Sequence, residues 1–293
     1  MTLPKFEYKA AHTIQEACNF AAEMGDKCVV MAGGTDVILL VQGRVIMPEY
    51  VLDLKTIPGM DELTFVPGEG LTIGALTKLR TIELSPEVKK ELPAVADAVH
   101  DVASTQIRCK GTLVGNICNA SPSADTPPIL IVMGATVETM RKTGVGRSFP
   151  IGDFFKGVKK TNLDKEEGEL VTRVKIPALK TGEGSAYYKH AVRKAMDLAI
   201  VGVASWVKMD GKKIADCRIA VGGAAITPVR ATSAEKLLIG QEYSDELLEK
   251  AAEATKNDIH PISDVRASAE YRIDMVRVFT KRSFKKALET LKA

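Results

Sequence analysis

Apolar positions recur along this chain in two rhythms, one near 3.6 residues and one of strict alternation, and the changes between them mark the elements. Thr13-Ile14-Gln15-Glu16 is a capping box and Gly25 a stop signal, which predicts a helix over 13–24. A short buried strand over 27–31 then runs into Ala32-Gly33-Gly34-Thr35-Asp36 and the apolar stretch 37–41, giving strand, glycine turn, helix. Residues 51–54 and 70–75 read as strands separated by Pro-Gly turns at 58–59 and 67–68, and helical spacing returns over 76–84 and 93–103. The first half is therefore an α/β layer.

Alternation dominates the second half. Charge-rich 156–168 reads as a solvated loop and 170–177 as an edge strand ending at Pro177, where the domain boundary is placed. Three strands over 186–193, 198–208 and 214–222, the last two joined through Asp210-Gly211, make a three-stranded antiparallel sheet. A second capping box at Thr232-Ser233-Ala234-Glu235 with Gly240 as stop, a helix over 244–256 and a last helix from Ser268 complete the chain. On that last helix Tyr271, Met275, Val278 and Phe279, continued by Phe284, Leu288 and Leu291, form the packing face. Arg272, Arg277, Lys281, Arg282, Lys285 and Lys286 fall on its solvated side.

With 293 residues, the chain suits two domains. Forty basic against thirty-seven acidic side chains leave +3, too balanced for a field that would hold a polyanion, so nucleic acid is not an expected partner. The longest apolar stretches, 129–133 and 198–207, are too short or interrupted to span a bilayer, and no membrane association is expected. Five cysteines, an odd number without C-x-x-C, read as reduced thiols in a cytoplasm. Four scattered histidines without paired ligand spacing argue against a metal held by this chain, so redox chemistry would need a bound organic cofactor. No G-x-S-x-G elbow or comparable nucleophile and base is present.

Two segments carry binding chemistry. At Gly33-Gly34 the missing Cβ atoms let consecutive amides converge on an anion such as a diphosphate; equally, the pair could turn a tight corner with Asp36 capping the next helix. Neither G-x-G-x-x-G nor the phosphate-loop motif occurs. The stretch 105–128 is too polar and glycine-broken for core. Its Thr112, Gly111, Gly115, Asn116, Ser121 and Asp125 offer hydroxyls, flexible backbone, an amide and a carboxylate suited to an extended nucleotide.

These segments, with T-I-G-A at 72–75 and D-V-R-A-S-A-E-Y-R at 264–272, resemble the FAD-binding medium subunit of the molybdenum hydroxylases. That family includes xanthine dehydrogenase, carbon monoxide dehydrogenase, nicotinate dehydrogenase and quinoline oxidoreductase. The resemblance spans nearly the whole chain. It implies an α+β protein: a vanillyl-alcohol-oxidase (PCMH)-type FAD-binding domain of two α/β subdomains over 1–177, and a C-terminal domain with a three-stranded antiparallel sheet and helices over 178–293. It also implies that Ala32, Gly33, Gly34, Thr35 and Asp36 wrap the FAD diphosphate, that Thr112, Leu113, Val114, Gly115 and Asn116 meet the diphosphate and flavin side, and that Asp125 holds the ribose or a neighbouring polar atom. Leu170, Val171 and Lys189 would approach from the domain junction. Where the family has two glycines before the Asn, this chain has Val114-Gly115; either the Val114 side chain points into the protein or the cofactor shifts.

The implied partners are a molybdopterin-binding large subunit and a small two-iron iron-sulfur subunit in a dimer of heterotrimers. FAD would pass electrons onward to an acceptor such as NAD. The alternatives are a self-sufficient flavin oxidoreductase of the same fold and a non-enzymatic nucleotide-binding module.

Overall fold

In the computed structural model, which describes residues 3–292, three larger sheets follow one another along the chain, and a two-stranded ribbon of Phe155–Gly157 and Lys160–Thr161 interrupts the segment 156–168 expected to be a loop. The first is parallel, with Tyr50–Asp53 between Glu7–Ala10 and Cys28–Met31. Helix Ile14–Met24 connects its outer strands; Thr13 accepts from the Glu16 amide at 3.1 Å and caps the helix as expected, but the reciprocal half of the box does not form: the Glu16 carboxylate takes the amide of His12, one residue before the cap, at 2.8 Å.

The second sheet is antiparallel and five-stranded, in the order Leu63–Val66, Gly70–Gly74, Leu170–Pro177, Thr136–Met140, Ser148–Pro150. Leu170–Pro177 is thus its centre and not an edge. Its alternation reflects one solvated face, where Arg173 and Lys175 meet Glu138; Pro177, lacking an N–H, sits at the strand's end opposite Gly70. Six short helices lie between Gly70–Gly74 and Thr136–Met140: Leu79–Leu84, Pro86–Glu91, Pro93–His100, Thr105–Arg108, Leu113–Cys118 and Thr126–Val132. The supposed polar loop over 105–128 is therefore largely helical, and Leu113, Val114 and Ile117 enter the core.

The C-terminal sheet has a fourth, two-residue strand: Glu183–His190, Val201–Asp210, Lys213–Gly222 and Val229–Arg230. Its two faces serve two cores. Tyr187, Ala204, Trp206 and Ala220 pack on the first half of the chain, whereas Val203, Val207, Ile219 and Val221 pack under helices Thr232–Leu238, Asp245–Ala254 and Ala269–Glu289. Two expectations fail here. Thr232 does not cap its helix; its hydroxyl turns to Asp258 at 3.1 Å, and Glu235 is drawn to Arg230 and to the amide of Ile219. Helix Ala269–Glu289 is also rotated from the expected face, burying Arg272, Val276, Phe279, Thr280, Ser283, Phe284 and Ala287 while Tyr271 stays exposed. Much of its basic surface pairs within the chain: Arg277 with Glu253, Lys281 with Glu249 and Lys285 with Asp245. No helix among the described residues is long and apolar enough to cross a membrane.

Candidate functional site

The turn at 32–36 leaves strand Cys28–Met31 and enters helix Val37–Gln42, with Gly34 at φ +75°. A Cβ on Gly33 would stand 2.2 Å from the Lys110 carbonyl oxygen and 2.8 Å from Gly111 Cα, so the two segments singled out in the sequence touch backbone to backbone. Among the described residues, the amides of Gly33, Gly34, Thr35 and Asp36 donate to no protein acceptor. Four donors in a row beside a second backbone loop make a cradle for an anionic group. Asp36 does not cap the following helix; it accepts from Asn119 at 2.9 Å, and Lys159 donates to the same Asn119 at 2.6 Å. The tight corner therefore forms as expected, without the Asp36 side-chain cap. The Ala32 carbonyl faces Lys55, which pairs with buried Asp53.

Thr112 caps helix Leu113–Cys118, its hydroxyl accepting from the Gly115 amide at 2.9 Å; a Cβ on Gly115 would crowd that oxygen at 2.8 Å. Val114 is buried, so its side chain points into the protein and leaves the loop's outer side to backbone. Asn116 accepts from Thr126 at 2.6 Å, which ties the capped turn to helix Thr126–Val132 and to Asp125 before it.

Asp125 is buried at the junction of the two halves. Tyr187 donates to its Oδ1 at 2.9 Å and Lys189 to its Oδ2 at 3.0 Å; Lys189 also donates to the Asp101 carbonyl at 2.8 Å. Burial pushes the Asp125 carboxyl up to about 6, with Lys189 and Tyr187 opposing the rise. Burial, reinforced by the neighbouring Asp125, drives the Tyr187 hydroxyl well above its ordinary value. Sequence reasoning missed Tyr187 and Asp101. The signal available was the strand period, since Ser185, Tyr187 and Lys189 share one face of Glu183–His190.

Leu170 and Val171 are buried opposite Met140 and Thr139, in the same core as Leu113 and Val114. A register shift follows Val171, and the Thr172 carbonyl there accepts from Ala75 at 2.9 Å, which joins the 72–75 motif to this strand. The 264–272 motif is structural. Fully buried Arg272 donates to the carbonyls of Ile200 and Gly223 and to Asp264 at 2.8 Å; the Gly223 amide in turn donates to the Pro122 carbonyl at 2.7 Å. A Cβ on Gly222 would lie 3.0 Å from Pro128. The C-terminal domain thereby clasps the 122–128 turn that presents Asp125.

A paired-subdomain fold with two abutting glycine turns and a buried carboxylate at the domain junction is an architecture suited to an extended anionic ligand. Residues 4–179 match the family described as the FAD binding domain in molybdopterin dehydrogenase, and residues 186–287 the CO dehydrogenase flavoprotein C-terminal domain. The chain belongs to the FAD-binding medium subunits of the molybdenum hydroxylase family. It is similar to the glyceraldehyde dehydrogenase medium chain of Sulfolobus acidocaldarius, with 37% identity over 96% of this chain and 98% of that one. The xanthine dehydrogenase FAD-binding subunit of Escherichia coli O157:H7 is 31% identical over 96% and 95% of the two chains. Among solved structures, carbon monoxide dehydrogenase from Hydrogenophaga pseudoflava superposes with a TM-score of 0.94 at 30% identity, covering all of both chains. The protein is an oxidoreductase subunit and its cofactor is FAD.

Proposed function

We propose that this chain is the electron-transferring subunit of a molybdenum hydroxylase complex, taking electrons from a small two-iron iron-sulfur subunit and passing them through FAD to an acceptor such as NAD. FAD supplies the two-electron chemistry when bound, so the protein has only to hold, orient and electrically tune it. The observation that carries this reading is the abutment of Gly33 on Lys110 and Gly111, which turns two separate loops into one cradle.

In that cradle Ala32, Gly33, Gly34, Thr35 and Asp36 wrap the diphosphate, the last four through their unengaged amides, and Thr112, Leu113, Val114, Gly115 and Asn116 wall its flavin side with backbone. Asp125 offers its carboxyl to a ribose hydroxyl or a neighbouring polar atom. Leu170 and Val171 back the site from the central strand, and Lys189 reaches it from the C-terminal domain, whose start we place after Pro177. The donor set suits a polyanionic dinucleotide: backbone N–H groups for phosphate, a carboxylate for hydroxyls and one buried cation.

The partners in this reading are a molybdopterin-binding large subunit and the iron-sulfur subunit, in a dimer of heterotrimers. The five thiols, unpaired in the structure, suit the cytoplasm. Purified protein should be yellow with flavin absorption and should copurify with both partners. Gly34→Asp, at a positive-φ position, and Asp125→Ala should each lower the flavin-to-protein ratio. Full flavin content in both variants would remove the site assignment, and substrate turnover by this chain alone would replace the subunit reading with a self-sufficient oxidoreductase.

A further inference from the structure

We propose that Tyr187 is a proton carrier between buried Asp125 and the solvent, acting through a cleft that opens between helix Pro93–His100 and strand Glu183–His190. The inference rests on the cofactor reading above and extends it from holding the flavin to feeding it protons.

The cleft has a volume of about 300 Å³. Ser185, Tyr187 and Lys189 line it from one strand face, Asp97, His100 and Asp101 from the helix, and Lys286 from the terminal helix. Asp125 does not line it. Two residues span the gap: Tyr187 and Lys189 both line the cleft, and the hydroxyl of the first and the ammonium of the second donate to different Asp125 oxygens. On the far side, Asp125 adjoins Thr126, which is bonded to Asn116 of the second glycine loop. Cofactor loop, carboxyl, hydroxyl and cleft thus stand in a row.

Further along the same strand face, the Ser185 hydroxyl is buried without a protein partner and lines the cleft. A buried hydroxyl in that state calls for water as its partner, so the cleft is suited to carry a hydrated path. The groups facing Asp125 are arranged for exchange. Lys189 holds one oxygen ionised, Tyr187 keeps its own proton because burial and the carboxylate both favour the neutral phenol, and the Asp101 charge lies nearby. Burial lifts the Asp125 carboxyl to about 6, far enough from the ordinary carboxylate range for a proton to be both taken up and released. In the transfer itself a hydronium ion in the cleft gives its proton to the Tyr187 oxygen while the original hydroxyl proton passes to Asp125. One O–H bond breaks and one forms at Tyr187, one forms at Asp125, water remains in the cleft, and no electron moves. Lys189 acts as a positioning residue that fixes the carboxylate for the exchange.

The test uses the FAD-loaded full chain in weak buffer at pH 7, mixed rapidly with reduced methyl viologen, which donates electrons without protons. Flavin bleaching and proton uptake, the latter by an indicator dye, are followed together. In the unaltered protein the two should keep pace. In Tyr187→Phe uptake should lag bleaching by about tenfold, and the same lag should follow from Asp97→Trp, a change at an exposed position that blocks the cleft. A chain that holds no flavin overturns the cofactor reading and this one with it. A yellow chain whose proton uptake keeps pace with bleaching in either variant overturns this one alone.

Discussion

Gly33 and Lys110 meet so closely that a single added methyl group on Gly33 would fall 2.2 Å from the Lys110 carbonyl oxygen. The first glycine loop is thus seated by the turn after Thr105–Arg108, and that turn in turn by buried Arg108, which forks onto Glu83 at 2.8 and 3.1 Å and donates to the Val102 carbonyl. A chain of contacts therefore runs from a buried ion pair to the loop proposed to carry the diphosphate.

Gly33→Ala should consequently separate the two loops. We expect a cost of about 1–3 kcal/mol in stability, the usual range for overpacking, and a fall of about tenfold or more in FAD affinity, the equivalent of roughly 1.4 kcal/mol. Gly152→Ala, where a new Cβ meets nothing within 4 Å and φ is not positive, is the control and should be near neutral. Thermal melts and flavin titration of the two apoproteins decide it; equal behaviour would show that the loops are not mutually seated.

Local signals in the sequence were legible, and those that depended on distant partners were not. Thr13, Ser244 and Ser268 cap their helices because each finds an amide three residues on, within the same turn. Thr232 carries the same pattern, yet Asp258, twenty-six residues away, captures its hydroxyl. Arg272 was read as solvated because charge usually is; only the folded chain brings two carbonyls and Asp264 to it. In the site, both glycine segments were visible as composition, while their contact and the Tyr187–Asp125 bond require a tertiary distance that no spacing encodes.

Acid should weaken the protein through two carboxylates. Burial alone would raise Glu83 and Glu169, but hydrogen bonds from Arg108, His100 and Arg80 to the first, and from Arg147 and Thr139 to the second, bring each down to about 2 from 4.5. A depressed folded-state value means stability fully present above the unfolded value and lost as pH falls from about 4.5 to 2, roughly 3 kcal/mol for each group. Urea unfolding between pH 6 and pH 2.5 should show this loss, and Arg108→Met together with Arg147→Met should largely remove the slope. An unchanged slope in the double variant would assign acid sensitivity elsewhere.

Asp125 works in the opposite sense. Its folded-state value is raised, to about 6 from 3.8. The folded protein therefore holds a proton that the unfolded chain has released, and stability declines as pH rises between about 4 and 6. Lys189→Met would leave the buried carboxylate uncompensated and push it higher still. We expect that variant to lose about 3 kcal/mol at pH 8, within the range for breaking a buried pair, and distinctly less at pH 5, where Asp125 is protonated. Chemical denaturation at the two pH values measures the difference; equal losses would mean that Lys189 stabilises the junction by packing and not by charge.

Arg272 and Arg277 lie five residues apart on one helix and carry the same charge, yet they should respond very differently to removal. The first is fully buried, donating to the carbonyls of Ile200 and Gly223 and to Asp264, whose carboxyl Arg266 and Arg272 together hold well below its ordinary value despite burial. The second is half-exposed, with one contact of 3.4 Å to Glu253. Arg272→Met strands two buried carbonyls and leaves Asp264 to Arg266 alone among its cations, so we expect a loss of about 3–5 kcal/mol. Arg277→Met removes a surface pair and should cost less than about 0.5 kcal/mol. Because the Gly223 amide holds the Pro122 carbonyl, loosening by Arg272→Met should reach the 122–128 turn and Asp125 beyond it. Hydrogen exchange should then rise at residues 122–126 as well as in the terminal helix, and flavin should dissociate faster. Faster exchange confined to the helix, with flavin retention unchanged, would show that the C-terminal clasp does not support the cofactor side.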